Sequence, residues 1–369
     1  MKDCIVFISS NVELYGADRS MLALMNNLKK NNYDVLLIIN KHGRIEEALK
    51  ENNINYLIIP FKIMINTVGK ERKIKGILKN IINKHLANKA KKIIKKININ
   101  PVIVHTNVSL VDFGYYLAKK LKIKHIQHIR EMGKDDFGYT FELGFEHFYK
   151  ICKNSDKVIC ISKYLYDYYS KLLSKDNMIL VYNGINCDKN DKGISNTNCL
   201  IVGRLEETKG QLLALQAINE LKNYPIHLDI YGDGEYKDKL EKYIEDNNLQ
   251  NNATMKGYST SIDYSKYSFG LMCSKCEAFG RTTVEYMANN ILVIGSNSGA
   301  TSELLEYGNC GLLFNQGDYH DLASKIKYAI ENNQIIDEYK KKAYDNYKNN
   351  YTEDIYFKNI LKVYKDLLK

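Results

Sequence analysis

The 369-residue chain has no tryptophan and only three prolines. The proline shortage excludes Pro-rich spacers and collagen-like periods. No long block of one charge marks a disordered tail. Asn, Ile, Lys and Tyr dominate instead, as an AT-biased coding composition produces, so a single Lys or Asn carries little information. No apolar run reaches the roughly 18 residues that span a bilayer. The opening segment Met1-Lys2-Asp3-Cys4-Ile5-Val6-Phe7-Ile8 is too short in apolar residues for a signal peptide and runs straight into a strand. The expected location is therefore cytoplasmic. Cys273-Ser274-Lys275-Cys276 has CxxC spacing, but no second pair of ligands accompanies it. Asp135 and Asp136 are adjacent in a loop, and no Asp-x-Asp pair stands at a strand end. No metal is expected, and no nucleic-acid motif accompanies the basic charge.

What is present is ordinary for a globular protein: 45% hydrophobic and 26% charged residues. The length suits two domains, since one domain usually takes about 100–200 residues. Charge is uneven. Residues 1–182 hold 31 basic and 17 acidic side chains, a net of +14, whereas residues 183–369 carry a net of −4. One basic and one near-neutral lobe fit two domains with different partners.

Short apolar runs alternate with helical patterns. Cys4–Ile8, Val35–Ile39, Tyr56–Ile59, Val102–His105, His125–Ile129 and Val158–Ile161 read as buried strands. Met21, Leu22, Met25 and Leu28 recur at helical spacing, with Asp18 as the expected N-cap. After the turn at Asn183-Gly184 the pattern restarts with Leu200–Val202, His227–Tyr231, Phe269–Cys273 and Ile291–Ile294. Such alternation predicts parallel sheets with helices on both faces, in two α/β domains. The last helix, Glu353–Leu368, has a broad apolar face that something must cover.

Ligands of open α/β sheets bind beyond the carboxyl ends of the strands. There the sequence places Gly16 in the first loop, Gly203-Arg204-Leu205 followed by Lys209-Gly210, Gly232-Asp233-Gly234, and Glu277-Ala278-Phe279-Gly280-Arg281-Thr282-Thr283-Val284-Glu285. A helix starting after Gly280 offers the free N–H groups of Arg281, Thr282 and Thr283 to an anion. Arg204 and Lys209 add cations for a diphosphate. Glu285, one turn in, suits ribose hydroxyls, and Glu277 suits hydroxyls beyond the phosphates. Each piece alone has a plainer reading: Gly232-Asp233-Gly234 as a turn, Arg204 as a solvated loop residue, Glu285 as a helix-surface carboxylate. Their occurrence together at successive strand ends argues for one ligand.

These segments resemble the family 4 glycosyltransferases. Glu277 to Glu285, with Phe279-Gly280 between, is similar to that family's two-glutamate motif. Gly203-Arg204-Leu205 with Lys209-Gly210 is similar to its phosphate-binding segment, and Tyr182-Asn183-Gly184-Ile185 to the opening of its second domain. Tyr231-Gly232-Asp233-Gly234 and Gly308-Asn309-Cys310-Gly311-Leu312-Leu313 also fit. In the first half, Gly16-Ala17-Asp18-Arg19-Ser20 and Ile161-Ser162-Lys163 resemble family segments. Tyr15-Gly16 stands where many relatives have paired glycines, and Ser298–Glu303 lacks a second glycine and a proline often found there.

The resemblance implies a GT-B fold: two Rossmann-like domains facing a central cleft, residues 1–182 on the acceptor side and 183–352 holding the nucleotide sugar. Residues 353–369 would return as a helix to the first domain. It implies that Arg204 and Lys209 hold the donor diphosphate, Glu285 the ribose, and Glu277 with the backbone at Phe279-Gly280 the transferred sugar. Gly257-Tyr258 would lie by the base and His128 by the reacting sugar. Arg130 and Glu131 are acceptor-side candidates, and His105 reads as structural. His128 alone at a strand end reads equally as structural, and its odd spacing from His125 rules out a metal pair on one face. The implied activity is a retaining, metal-independent transfer from a nucleotide-diphosphate sugar to a saccharide or lipid-linked acceptor. Bacterial surface polysaccharide, lipopolysaccharide or capsule assembly is the expected setting. The alternatives are a nucleotide-sugar epimerase of the same fold and a non-catalytic nucleic-acid-binding protein.

Residues 62–96 are strongly basic. Ile74, Ile77, Leu78, Ile81, Ile82, His85 and Leu86 recur at helical spacing, with Lys73, Lys75, Lys79 and Lys84 on the other faces. One reading is a solvated helix pair packed on the sheet. The other is a patch for an anionic membrane surface, making the protein peripheral on the inner face.

Overall fold

The apolar runs form parallel strands, because a strand covered by helices on both faces has no side that must stay polar. In the computed structural model, residues 1–14, 16–66, 72–133, 138, 140–187 and 197–369 are described. Tyr15, residues 67–71 of the basic segment and the Asp135-Asp136 pair lie outside them. The chain divides into two compact units, Met1–Gly184 with Glu353–Lys369, and Ile185–Thr352.

The strands of the first unit are β1 (Asp3–Ser9), β2 (Asp34–Ile39), β3 (Asn55–Ile58), β4 (Ile65–Asn66), β5 (Asn100–Thr106), β6 (Lys124–Ile129), β7 (Thr140–Phe141), β8 (Lys157–Cys160) and β9 (Met178–Leu180). Its helices are α1 (Gly16–Lys30), α2 (Ile45–Glu51), α3 (Lys73–Lys96), α4 (Phe113–Leu121), α5 (Phe145–Lys153) and α6 (Lys163–Ser170). Seven strands form a parallel sheet in the order β3-β2-β1-β5-β6-β8-β9, while β4 and β7 form a separate antiparallel pair. Alternation along β1 sends Ile5 and Phe7 to one face and Cys4, Val6 and Ile8 to the other, each into its own apolar cluster.

The second unit holds β10 (Asn198–Val202), β11 (His227–Tyr231), β12 (Ala253–Gly257), β13 (Phe269–Met272), β14 (Leu292–Ser296) and β15 (Leu312–Phe314). They pair in the order β12-β11-β10-β13-β14-β15, all in parallel. Its helices are α7 (Gln211–Glu220), α8 (Lys237–Asp246), α9 (Arg281–Ala288), α10 (Gly299–Leu304), α11 (Tyr319–Glu331) and α12 (Asn333–Asn350). The final helix, α13 (Glu353–Leu368), buries Tyr356, Ile360, Val363 and Tyr364 in the cluster that holds Ile5 and Phe7 of the first unit. At about 1.5–3 kcal/mol per fully buried large side chain, this explains its broad apolar face.

Two local expectations are corrected. Asp18 is not an N-cap: α1 begins at Gly16, and Asp18 is buried in its first turn, where Ser9 Oγ donates to it at 3.5 Å. The basic segment is not a helix pair on the sheet. Among its described residues it contains the single helix α3, whose apolar stripe faces away from the protein: Ile74, Ile77, Leu78, Ile81 and Ile82 are 80, 51, 57, 57 and 40% exposed. The inward face is Gly76, Asn80, Asn83, Ala87, Ala90 and Ile94. Polar bonds hold the N-terminal half of that face. Asn80 and Asn83 donate to the two oxygens of buried Asp112 at 2.6 Å each, and Lys79 pairs with buried Glu142 at 2.8 Å. Gly76 lets the helix lie close, since a Cβ there would come within 2.9 Å of Leu143.

Candidate functional site

In the second unit the strand order reverses between β10 and β13, so their carboxyl-terminal loops open a crevice at the sheet edge. Two glycines set the first loop. Gly203 N donates to Tyr231 O, and Gly232 crosses so close that a Cβ would lie 1.9 Å from Gly203 O. Gly232-Asp233-Gly234 is thus a brace under Gly203–Leu205, with Leu205 N also donating to Asp233 O at 2.9 Å. Gly210, at φ 72°, starts α7 against the end of β13, where a Cβ would sit 2.2 Å from Cys273 O.

This packing brings the predicted charged residues together. Lys209 Nζ lies 2.7 Å from Glu277 Oε1, and Ser274 Oγ donates to the same oxygen at 2.6 Å. The Glu277 backbone is clamped by α10: Ala300 N donates to its carbonyl at 2.8 Å, and Gly299 leaves no room for a Cβ beside it. Gly280, at φ 85°, opens α9. Arg281 then pairs with Glu285 at 3.6 Å, and Tyr264 Oη approaches Glu285 Oε2 at 3.5 Å. Arg204 is 70% exposed and touches Glu206 at 3.5 Å. Phe279 is buried edge-on to Tyr351, so its ring is spent on packing. Thr282 is half-buried, while Thr283 Oγ1 is buried without a partner among the described residues, as is Gln211 Oε1. Gly257 ends β12 at φ 71° and is followed by Tyr258, 68% exposed. Three cations, two carboxylates and a glycine-opened helix N-terminus therefore share one sheet edge, an arrangement suited to a polyol diphosphate.

In the first unit, His128 lies fully buried on β6. His105 Nε2 is 3.0 Å from its Nδ1, and Tyr364 Oη of α13 is 2.5 Å from His105 Nδ1. Arg130 is engaged by its neighbours: Nε donates to Asn107 at 3.0 Å, Nη1 to Asn183 at 2.6 Å and Nη2 to Tyr356 Oη at 3.2 Å. Glu131 accepts from Ser109 Oγ at 2.8 Å and from the Arg130 amide at 2.9 Å. Burial first, and the nearby Arg130 guanidinium second, hold both His105 and His128 well below the usual imidazole range. His125 points the other way, to Thr106 and Ser155, and is pushed down to about 3 by burial. Gly16 opens α1, where its carbonyl accepts from Ser20 Oγ at 3.2 Å.

Sequence reading did not single out Ser274, Tyr264, Gln211 or Tyr364 as site groups. Ser274 was visible only as a spacer inside the CxxC, and Tyr264 and Tyr364 stand in segments with no motif. Among the described residues no cluster of three or more His, Cys, Asp or Glu is placed to hold a metal ion, and no helix is long and apolar enough to cross a membrane.

Comparison with known proteins gives two adjoining family matches. Residues 15–189 match the model described as glycosyltransferase family 4, and residues 188–350 that of glycosyl transferases group 1. An uncharacterized glycosyltransferase of Methanocaldococcus jannaschii is 30% identical over 278 residues, covering 74% of this chain and 76% of that protein. The alpha-monoglucosyldiacylglycerol synthase of Acholeplasma laidlawii is 23% identical over 310 residues, covering 74% and 77%. Among solved structures, Anabaena HepE in complex with UDP superposes with a TM-score of 0.82 at 17% identity, covering 99% of this chain and all of that one.

Proposed function

The chain belongs to the family 4 glycosyltransferases of the GT-B fold, and from that premise we propose that it retains the anomeric configuration while moving a sugar from a nucleotide-diphosphate donor to a saccharide or lipid-linked acceptor, in bacterial surface-polysaccharide assembly. The observation that carries the donor assignment is the Lys209–Glu277 pair beside the helix opened by Gly280. A cation for phosphate and a carboxylate for sugar hydroxyls sit 2.7 Å apart on the loops of two neighbouring strands. Support also comes from HepE, whose structure is in complex with UDP.

In this reading Arg204, Lys209 and the amides after Gly280 stabilise the departing diphosphate, with Arg281 adding a third cation. Glu285 takes the ribose, Tyr258 and Gly257 the base, and Glu277 the transferred sugar. His128 contacts that sugar, and Arg130 and Glu131 shape the acceptor side by holding the surrounding backbone. No metal is required, since protein cations and a helix N-terminus supply the charge, and no nucleic-acid partner is involved.

The reading is tested by titrating the protein with UDP, GDP and ADP. Glu285→Gln and Arg204→Ala are expected to weaken the preferred nucleotide by about 2–5 kcal/mol if the lost charge is fully desolvated, and by less at exposed Arg204. Wild-type affinity in both variants, each still folded, would remove the cradle assignment.

Residence is proposed as cytoplasmic and peripheral on an anionic membrane, through α3. Support comes from the helix itself, which has nine lysines, no acidic residue and five exposed large aliphatic side chains. Protein interfaces are depleted in Lys and enriched in aromatics, whereas Lys beside Ile and Leu suits headgroups over acyl chains. The synthase of Acholeplasma laidlawii, by its name, makes a glycolipid.

A further inference from the structure

His105 and His128 stand side by side on neighbouring strands and point to the same face of the sheet as Phe7, whose ring stacks on His105 at 5.1 Å. Two neutral imidazoles can share a hydrogen bond in only two ways. Either His105 donates from Nε2 to a bare His128 Nδ1, or His128 donates from Nδ1 to a bare His105 Nε2. The neighbours decide between them. Arg130 Nη2 lies 3.4 Å from His128 Nδ1. A guanidinium only donates, so it favours a lone pair at Nδ1 and opposes a proton there. The same choice leaves His105 Nδ1 bare, ready to accept the Tyr364 hydroxyl at 2.5 Å. In the other choice Tyr364 must act as acceptor and the guanidinium faces an N–H. With Nδ1 bare, the His128 proton resides on Nε2. That atom is buried and has no partner among the described residues, a state that is unfavourable for a donor left unpaired.

We propose that Tyr364 and His105 are positioning residues that hold His128 as the Nε2–H tautomer, keeping one hydrogen-bond donor in reserve for an oxygen of a bound ligand. The ligand's chemistry follows from the neutral imidazole: a hydroxyl of a sugar rather than a group needing full charge. This rests on the reading of His128 as a sugar contact and assigns the source of its orientation. That source is α13, which the chain reaches only after completing the second unit.

The test is nitrogen NMR of the full chain labelled with 15N-histidine, in which two-bond proton correlations distinguish the tautomers. Both His105 and His128 are expected as neutral Nε2–H forms. His105→Leu is expected to leave His128 as a mixture of tautomers, whereas His105→Gln, whose amide can donate from nearly the same position, restores the Nε2–H form. Tyr364→Phe, which keeps the ring packing, is expected to fall between them. Hydrolysis of UDP-glucose is the second readout. His105→Leu should lower kcat about tenfold to hundredfold, the range by which outer partners of metal-bound imidazoles act, with KM little changed and with recovery in His105→Gln. A proton found on Nδ1 of wild-type His128, or identical behaviour of the Leu and Gln variants, overturns the proposal. A wild-type protein that shows the expected tautomers but hydrolyses neither UDP-glucose nor any other nucleotide sugar overturns the donor reading instead.

Discussion

At the residue scale the candidate site is built from charged side chains that are paired with one another. Lys209 and Glu277 neutralise each other at 2.7 Å, with Ser274 holding the carboxylate in place. Glu277→Gln keeps the shape and removes the charge, so it is expected to leave nucleotide-diphosphate affinity unchanged or improved while lowering transfer. Isothermal titration with UDP beside a transfer assay measures both, and a parallel loss of the two would mean that Glu277 serves the diphosphate. The buried histidines carry a separate consequence. His125 is held at about 3, and His105 and His128 also lie below the ordinary value of about 6.5. Below pH 6.5 the unfolded chain binds protons that the folded chain refuses, so stability is fully present above that pH and is lost as pH falls. The slope is at most about 1.4 kcal/mol per pH unit for each histidine. Urea melts from pH 7 to pH 4 should therefore show a steeper loss in the wild type than in His125→Gln, and equal slopes would contradict this. The charged pieces of the candidate site in the second unit were legible from sequence because each follows its strand closely. The His105–Tyr364 bond was not, since its partners lie 259 positions apart.

At the scale of elements, α3 is the most informative departure. Its helical period was legible, but periodicity does not say which stripe turns inward. Asp112 and Glu142 decide that, because a carboxylate buried without partners costs far more than an isoleucine left exposed. The lysines that test membrane attachment are chosen accordingly. Lys79 is committed to Glu142, so Lys75 and Lys89 are the ones to replace with Gln. Each basic residue near an anionic surface contributes about 1 kcal/mol, screened over about 8 Å at physiological salt. Ile77→Asp with Leu78→Asp removes the apolar part. Cosedimentation with phosphatidylglycerol vesicles is expected to become salt-sensitive but persistent in the wild type, to weaken in the lysine variant and to vanish in the combined variant. Undiminished binding of the combined variant would rule α3 out as the attachment.

At the scale of the whole molecule the expected chemistry is retention. A double displacement needs a carboxylate free to attack the anomeric carbon. Glu277 is engaged with Lys209 and Ser274, and Glu131 with Ser109 and the Arg130 amide. Front-face attack, with the leaving phosphate taking the acceptor's proton, asks instead for a well-stabilised diphosphate, which Arg204, Lys209 and the start of α9 are suited to provide. NMR of the product from an α-linked donor should show an α linkage, formed equally well in EDTA. A β-linked product overturns retention. A sugar ester trapped on Glu277 or Glu131 overturns the front-face route alone, and activity restored to an EDTA-treated sample only by Mg²⁺ or Mn²⁺ overturns metal independence.

The sequence by itself determined the α/β class, the parallel strands and the glycosyltransferase family, because these depend on local periods and on short motifs tied to strand ends. It also placed Lys209 and Glu277 on loops of neighbouring strands, and Arg281 and Glu285 at the start of the helix that follows one of them. Only the tertiary structure decided which face of α3 is exposed, that Gly232 and Gly234 brace the Gly203–Leu205 loop, and that His128 stands against His105 and Arg130. Each of these depends on what lies opposite a residue in space. A chain's own periodicity records burial on average, but not the identity of the partner that makes burial affordable.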